Sequence, residues 1–287
     1  MDYQNLIQAS NFKPLALESP HAWVGHIPFA AWLILEFKPN IFVELGTHSG
    51  NSYFAFCQSV QSNQLKTKCY AIDSWKGDLH AGNYSEDIYL KVKKNNDLHY
   101  GDFSHLLRMQ FDAALNQFKD HSIDLLHIDG LHTYEAVKHD FETWLPKLSK
   151  NAIVLFHDTN VRERDFGVWQ YWEELKKSYP YHLEFLHSYG LGVLIINNKI
   201  TENIPEWLSN AHSKFDLLTY FERLGNSLAN QSEISRYQSE LTKYQSELTK
   251  LNSIINSMEA SKSWKITAPL RQARHSLRSF FNCIKNK

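Results

Sequence analysis

In the stretch IFVELGTHSGNSYFAF, residues 41–56, a short apolar run passes through two glycines into a helix-compatible segment. Ile41 to Val43 reads as a buried strand, and the residues from Asn51 onward read as a helix. Gly46 and Gly50 let the backbone turn sharply and let a ligand approach it, while the first helical turn offers unbonded N–H groups. A second run, CYAID, ends in Asp73, 27 residues after Gly46. There a carboxylate can accept hydrogen bonds from ribose hydroxyls. This order marks a nucleoside-type cofactor site at the carboxyl edge of a parallel sheet.

A dinucleotide fingerprint needs G-x-G-x-x-G, which Gly46-Thr47-His48-Ser49-Gly50 does not supply. Glu44, two residues before the first glycine, is a poor neighbour for a pyrophosphate. It suits a positively charged ligand, such as the amino group and sulfonium of S-adenosylmethionine. With Glu44, Gly46 and Gly50 in the form [E/D]-x-G-x-x-x-G, the chain resembles a class I S-adenosylmethionine-dependent methyltransferase. The resemblance implies a cofactor site drawn from Glu44, Gly46, Thr47, Gly50, Ser52 and Asp73. It also implies that Asp102, in YGDF, meets the adenine amino group; as a plain turn residue beside Gly101, Asp102 has an equally simple reading.

A second constellation lies further on. IDLLHIDGLHTY, residues 123–134, runs from an apolar strand into Asp129, Gly130 and His132. A helical pattern from Tyr134 to Leu148 then leads to AIVLFHDT, which ends in His157 and Asp158. Two strands that finish in carboxylates can share one divalent cation, and oxygen ligands suit magnesium or manganese. His132, three residues beyond Asp129, can take a proton near neutral pH. D-G-x-H-x-Y followed by a strand ending in H-D resembles the metal-dependent branch that includes macrolide-sugar O-methyltransferases and cephalosporin hydroxylase-like proteins. That resemblance, over residues 20–197, implies Asp129 and Asp158 as metal ligands and His132 as the base. His157 stands where relatives can have a carboxylate, so it is a further candidate ligand. The chain has 15 histidines; His121, His127 and His139 read as ordinary surface or core residues.

The alternation along the chain predicts an α/β fold: a Rossmann-like, seven-stranded, mostly parallel sheet with a terminal antiparallel hairpin, plus a C-terminal coiled-coil helix. Residues 1–38 read as a helical cap ending at Pro39, and 39–198 as the catalytic domain. Strands are expected near 41–45, 69–73, 97–100, 123–128, 152–157, 182–187 and 191–196. Leu106, Leu107, Phe111, Ala114, Leu115 and Phe118 read as one helix. Residues 74–89, SWKGDLHAGNYSEDIY, are too polar for core and read as a lid. Its Trp75, His80 and Tyr84 suit stacking on and hydrogen bonding to a sugar; His26 and residues 162–164 border the same site.

Three cysteines, Cys57, Cys69 and Cys283, lack metal-binding spacing, and an odd count argues against a disulfide framework. No apolar run is long enough to span a bilayer, and Met1 is not followed by a signal-peptide pattern. The simplest compartment is the cytoplasm.

After 199–229, expected as a helical linker, YQSELTK occurs at 237–243 and again at 244–250. Ile234, Tyr237, Leu241, Tyr244, Leu248, Leu251, Ile255 and Met258 recur at alternating spacings of 3 and 4. This heptad seam predicts a coiled coil over 230–258 and a homo-oligomer; a single helix folded back on the domain is the alternative. Ala260–Lys287 has seven Lys or Arg and no Asp or Glu. Leu270, Ala273, Leu277, Phe280, Phe281 and Ile284 share one helical face there, beside Arg271, Arg274 and Arg278. A basic amphipathic tail of this kind suits the inner face of an anionic membrane. SKSWKITAPLR also resembles the tails of bacterial polysaccharide enzymes. The acidic body of the chain argues against nucleic acid as a partner.

These readings combine into a magnesium-assisted, S-adenosylmethionine-dependent O-methyltransferase acting on a sugar hydroxyl in surface-polysaccharide assembly. A natural-product or lipid hydroxyl is the alternative acceptor, and a non-catalytic scaffold of the same fold is the alternative class.

Overall fold

The structure is a computed structural model that describes residues 2–80, 82–197 and 204–274. The chain forms two compact units, Met1–Asn230 and Gln231–Lys287.

The first unit is built on a seven-stranded sheet: β1 (Ile41–Leu45), β2 (Lys68–Asp73), β3 (Ser104–Arg108), β4 (Ile123–Ile128), β5 (Leu148–His157), β6 (His182–Phe185) and β7 (Leu191–Ile195). Across the sheet the order is β3-β2-β1-β4-β5-β7-β6. The first five strands pair in parallel, and β7 runs antiparallel to both β5 and β6. The order reverses direction at β1, so the carboxyl ends of β1 and β4 flank the crevice where such sheets bind ligands.

Strand alternation sorts side chains onto two faces. Phe42 of β1, Leu125 of β4 and Ile153 and Leu155 of β5 join one core cluster; Val43, Leu45, Leu126, Val154 and Phe156 join the other. The first face is covered by helices α1 (Tyr3–Ser10), α2 (Ile27–Phe37) and α3 (Asn51–Ser62). The second is covered by α5 (Tyr134–Trp144) and α6 (Val168–Ser178), while α4 (Glu86–His99) connects toward β3. Helix α2 is apolar nearly all round because nearly all of it is buried. Lys38, left-handed at φ 49°, ends it before Pro39.

The third strand is not at 97–100. Those residues close α4, whose first turn carries Glu86 and Asp87, and the strand starts after a turn, at Ser104. Leu106 and Leu107 therefore belong to β3, and only Phe111–Ala114 and a 3-10 turn after it are helical. A short apolar patch in a polar window fits a strand or one helix face equally well, and packing of Val92 and Asn96 decides for the helix. The expected lid is also more regular than its composition suggests. Gly77–Asp78 pairs with Gly82–Asn83 in a small hairpin, and α4 begins at Glu86.

The segment read as a linker packs into the first unit as far as it is described. Trp207, Leu208, Leu217 and Phe221 are buried, with Trp207 edge-on to Trp32 and Phe221 against Phe29. Gly225 lies so close to the chain at Gly25 that a Cβ there would sit 1.9 Å from the Gly25 carbonyl oxygen.

Leu217, Phe221 and Gly225 belong to helix α7 (Ala211–Ala260), which continues into the second unit. From Gln231 on it is largely exposed, including every residue of the heptad seam. A short helix, Lys262–Ile266, follows, capped by the Ser261 side chain. Leu277, Arg278, Phe280, Phe281, Cys283 and Ile284 lie outside the described residues. Among the described residues, no helix is long and apolar enough to cross a membrane.

Candidate active site

The glycine loop after β1 is tied to the ends of its neighbours. Gly46 N–H donates to Ile72 O at 2.9 Å, and Asp129 N–H donates to Leu45 O at 2.8 Å. Gly46 has φ +87°, and a Cβ there would lie 2.1 Å from the Asp129 carbonyl oxygen. A residue without a side chain is therefore required for the loops after β1 and β4 to touch. The same contact sets Asp129 beside the glycine loop.

Asp129 and Asp158 follow adjacent parallel strands, and Asp158 adopts a left-handed φ of 62° as it leaves β5. Two imidazoles flank the carboxylates. His132 Nε2 lies 2.9 Å from Asp158 Oδ2 and 3.5 Å from Asp129 Oδ1; His157 Nδ1 lies 3.1 Å from Asp129 Oδ1 and 3.5 Å from Asp158 Oδ2. The other His157 nitrogen faces the Ser188 carbonyl at 3.2 Å, so both ring nitrogens meet acceptors and both donate. Burial alone would lower the His157 pKa, but the charges of Asp158 and Asp129 carry it well above the usual histidine value. His132 is likewise pulled down by burial, yet hydrogen bonds to Asp129 and Asp158 push it up to about 9. Burial acts to raise both carboxyls; the His157 charge and the imidazole hydrogen bonds outweigh it, holding Asp158 at about 2 and Asp129 well below the carboxylate range.

The donor set fits a hard divalent cation. One ligand atom each from Asp129, His132 and Asp158 lies within 4.8 Å of the others, two of them carboxylate oxygens. His157 is not in this group; its Nδ1 also faces Asp129 and Asp158, and its Nε2 meets the Ser188 carbonyl. His132, expected as the base, also falls within this group, its Nε2 facing both carboxylates. Its ring is held from the side by Phe166, stacked 4.7 Å away at an interplanar angle of 4°.

The quartet borders a cleft of about 300 Å³ and a neighbouring lobe of about 220 Å³. The larger lobe is lined by Trp23, Thr47, Asn51, Ser52, His132 and Asp158. Asp73, Ser74, Gln110, Phe111 and Leu131 line the smaller lobe. His48, left-handed at φ 46°, and Tyr84 line both, their rings 4.5 Å apart. S-adenosylmethionine fits what these residues offer: Thr47 Oγ1 is buried without a hydrogen-bond partner at the cleft wall, and α3 starts there with no side-chain cap on its first turn. Asp73 already accepts from the N–H groups of Thr47, His48 and Trp75. Of about four lone-pair sites on its carboxylate, one is left for a ribose hydroxyl.

Several sequence-derived site residues lie elsewhere. Glu44 is fully buried and is the cross-strand neighbour of His127. Trp23 Nε1–H donates to His127 Nε2, which places the imidazole proton on Nδ1, 2.8 Å from Glu44 Oε2. Burial pushes the Glu44 carboxyl up, so Glu44 lies beneath the cleft rather than in its wall. Asp102 precedes β3, at the amino edge of the sheet, and cannot meet an adenine at the carboxyl edge. Trp75 is buried against Tyr89 and donates to His48 O; it braces the glycine loop instead of meeting a sugar. His26 is fully buried behind His157, 5.7 Å ring to ring, and faces the Ser188 carbonyl. Gly50 caps α3 from outside the lining. His80 stacks on Phe166 and faces Asp165 at 2.6 Å, joining the hairpin to the loop before α6.

Among residues the sequence reading passed over, Trp23, His48, Asn51, Gln110, Phe111 and Phe166 are the most informative. Gln110 and Phe111 were hidden by the misplaced third strand: with β3 ending at Arg108, they follow it directly at the carboxyl edge. No local signal marks Trp23 or Phe166, which come from segments on either side of the sheet.

Residues 43–159 match the family model described as a methyltransferase domain. The chain is 52% identical over 186 residues to Uncharacterized protein y4gI of Sinorhizobium fredii, which is 64% of this chain and 20% of that protein. It is 28% identical over 120 residues to Uncharacterized protein R132 of Acanthamoeba polyphaga mimivirus, 41% of this chain and 50% of that protein. The chain thus spans half or less of these relatives' lengths. Solved structures that resemble it include a putative caffeoyl-CoA O-methyltransferase from Staphylococcus aureus, at TM-score 0.47 and 17% identity, covering 68% of this chain and 92% of the other. Another is the O-methyltransferase TomG from Streptomyces achromogenes in complex with SAM, at TM-score 0.43 and 13% identity, covering 68% and 91%.

Proposed function

We propose that this methyltransferase domain transfers the methyl group of S-adenosylmethionine to a sugar hydroxyl, assisted by a divalent cation, in the assembly of a cell-surface polysaccharide. The observation that carries this reading is the partly buried Asp129–His132–Asp158 group beside the glycine loop, its ligand atoms within 4.8 Å of one another.

S-adenosylmethionine supplies a methyl group on a positively charged sulfur. Asp73, Gln110 and Phe111 suit the nucleoside end, one carboxylate and one aromatic face for ribose and base. Thr47 and Ser52, at the start of α3, suit the amino-acid end. Asp129 and Asp158 would hold Mg2+ or Mn2+, whose charge would lower the pKa of an acceptor hydroxyl. His132 in its neutral form receives the hydroxyl proton at Nε2, and Asp129 and Asp158 stabilise the imidazolium that results. Phe166 keeps that ring in place. Trp23 and Tyr84 offer faces for a sugar acceptor, while the Asn51 amide is spent on Glu18 and Pro20. The basic segment Ala260–Lys287 suits contact with an anionic membrane, for which vesicle co-sedimentation that fades with salt is the signature.

The test is methyl transfer from radiolabelled S-adenosylmethionine to a panel of nucleotide sugars and oligosaccharides, with calorimetry of cofactor binding alongside. Activity should vanish in chelator and return with magnesium. Asp129→Ala should abolish it, and His132→Ala should lower turnover by on the order of 10²–10⁴, both with cofactor binding nearly intact. Full activity in chelator would sink the cation's role. Absence of cofactor binding would favour a scaffold instead.

A further inference from the structure

We propose that α7 pairs with the same helix of a second copy of this chain, parallel and in register, along residues 234–258. Ile234, Leu241, Leu248 and Ile255 occupy the first core position of each heptad, and Tyr237, Tyr244, Leu251 and Met258 the second. All eight are half or more exposed, on an unbroken helix. A stripe of large apolar side chains this long is left in water only if something covers it.

The period of the stripe says what shape the cover has. A 3.5-residue repeat drifts around a straight helix by about 20° per heptad, so a rigid flat surface loses it within a few turns. A second helix that supercoils with the first keeps it throughout.

The flanking positions say which helix and in which direction. In the first three heptads Glu233, Glu240 and Glu247 stand beside the first core position and Gln238, Gln245 and Asn252 beside the second; in the last, Ile254 and Glu259 take these places. In a parallel, in-register pair each flanking Glu meets the residue five further on in its partner: Glu233 with Gln238, Glu240 with Gln245, Glu247 with Asn252. Every such pair sets a carboxylate against a primary amide that can donate to it, and the set occurs on both sides of the seam. An antiparallel pair instead sets the Glu-bearing flanks together on one side of the seam, with Glu240 against Glu247 as a like-charge contact, and leaves amide against amide on the other. Arg236, Lys243 and Lys250 sit three residues after these glutamates on the same helix, off the seam, so they do not change the pairing. The repeat YQSELTK tolerates a seven-residue slip by itself; Ile234 at one end and Ile255 and Met258 at the other oppose it.

This inference does not rest on the proposed reaction, and its test uses the full chain. Light scattering after size exclusion should give at least twice the 33.5 kDa chain mass. The double substitution Leu241→Glu, Leu248→Glu should return the mass to that of one chain. Orientation is read by oxidative cross-linking in a Cys283→Ser background. Ile234→Cys alone should form an interchain disulfide, while a mixture of Ile234→Cys and Met258→Cys chains should form no mixed product, those positions being about 36 Å apart in the parallel pair. A single-chain mass for the unsubstituted protein, an association indifferent to Leu241→Glu, Leu248→Glu, or preferential 234–258 cross-linking each overturns the proposal.

Discussion

Gly46→Ala should unfold the first unit about 4–12 °C earlier and weaken cofactor binding. Two costs add. An alanine held near φ +87° costs about 1–2 kcal/mol relative to glycine. The new Cβ would also stand 2.1 Å from the Asp129 carbonyl oxygen and 2.6 Å from its carbon. These are backbone atoms that cannot rotate aside, so the loop after β4 must move back by roughly an ångström to restore ordinary contact. That movement strains the Asp129 N–H bond to Leu45 O, worth about 1 kcal/mol. The sum is about 2–3 kcal/mol, and for a unit of this size each kcal/mol moves the melting point by about 2–4 °C. Gly82→Ala isolates the first cost, because Gly82 also has positive φ, +74°, but open space where its Cβ would go. It should lower the melting point by about 2–8 °C, short of Gly46→Ala by the cost of the contact. Scanning calorimetry compares the two variants, and titration with S-adenosylmethionine and Mn2+ reads the displaced glycine loop and Asp129. If both variants melt within about 2 °C of each other and bind alike, the close approach of the two loops is wrong.

Two further outcomes are expected. Phe166→Ala removes the ring stacked on His132 and should lower turnover on the order of tenfold to a hundredfold while leaving S-adenosylmethionine binding unchanged by calorimetry; unchanged turnover would show that His132 is positioned without it. Asp140, buried on α5, has its carboxyl pushed by burial from 3.8 up to about 7. The folded chain therefore holds a proton between about pH 4 and 7 that the unfolded chain releases, so stability falls as pH rises through that window and levels off above it. Asp140→Asn should flatten this slope and raise stability above pH 7 by on the order of 2–4 kcal/mol, read by denaturant titration at pH 5 and pH 8. A parallel slope in the variant would refute the assignment.

Much of the site was legible because it sits where strands end. Asp73, Asp129, His132 and Asp158 each follow a short apolar run whose limits are visible locally, and parallel strands point their ends to one edge. The third strand failed for the opposite reason. LHY at 98–100 is apolar enough for a strand, and its place at the end of α4 depends on which face of that helix is buried. That one error moved Asp102 to the site and hid Gln110 and Phe111.

Residue order alone therefore determined the alternation of elements, the strand-end carboxylates and the heptad seam, all of which depend on period and near neighbours. Only tertiary structure decided what each polar side chain does. Glu44 answers His127 because the registers of β1 and β4 put them opposite each other on one face. Asp73 spends most of its carboxylate on its own glycine loop, and Trp75 is buried behind that loop. Phe166 reaches His132 from the loop before α6, with α5 and β5 between them in the chain. Such partnerships are set by register and burial between segments distant in sequence, where a buried charge must find whatever donor the fold brings to it.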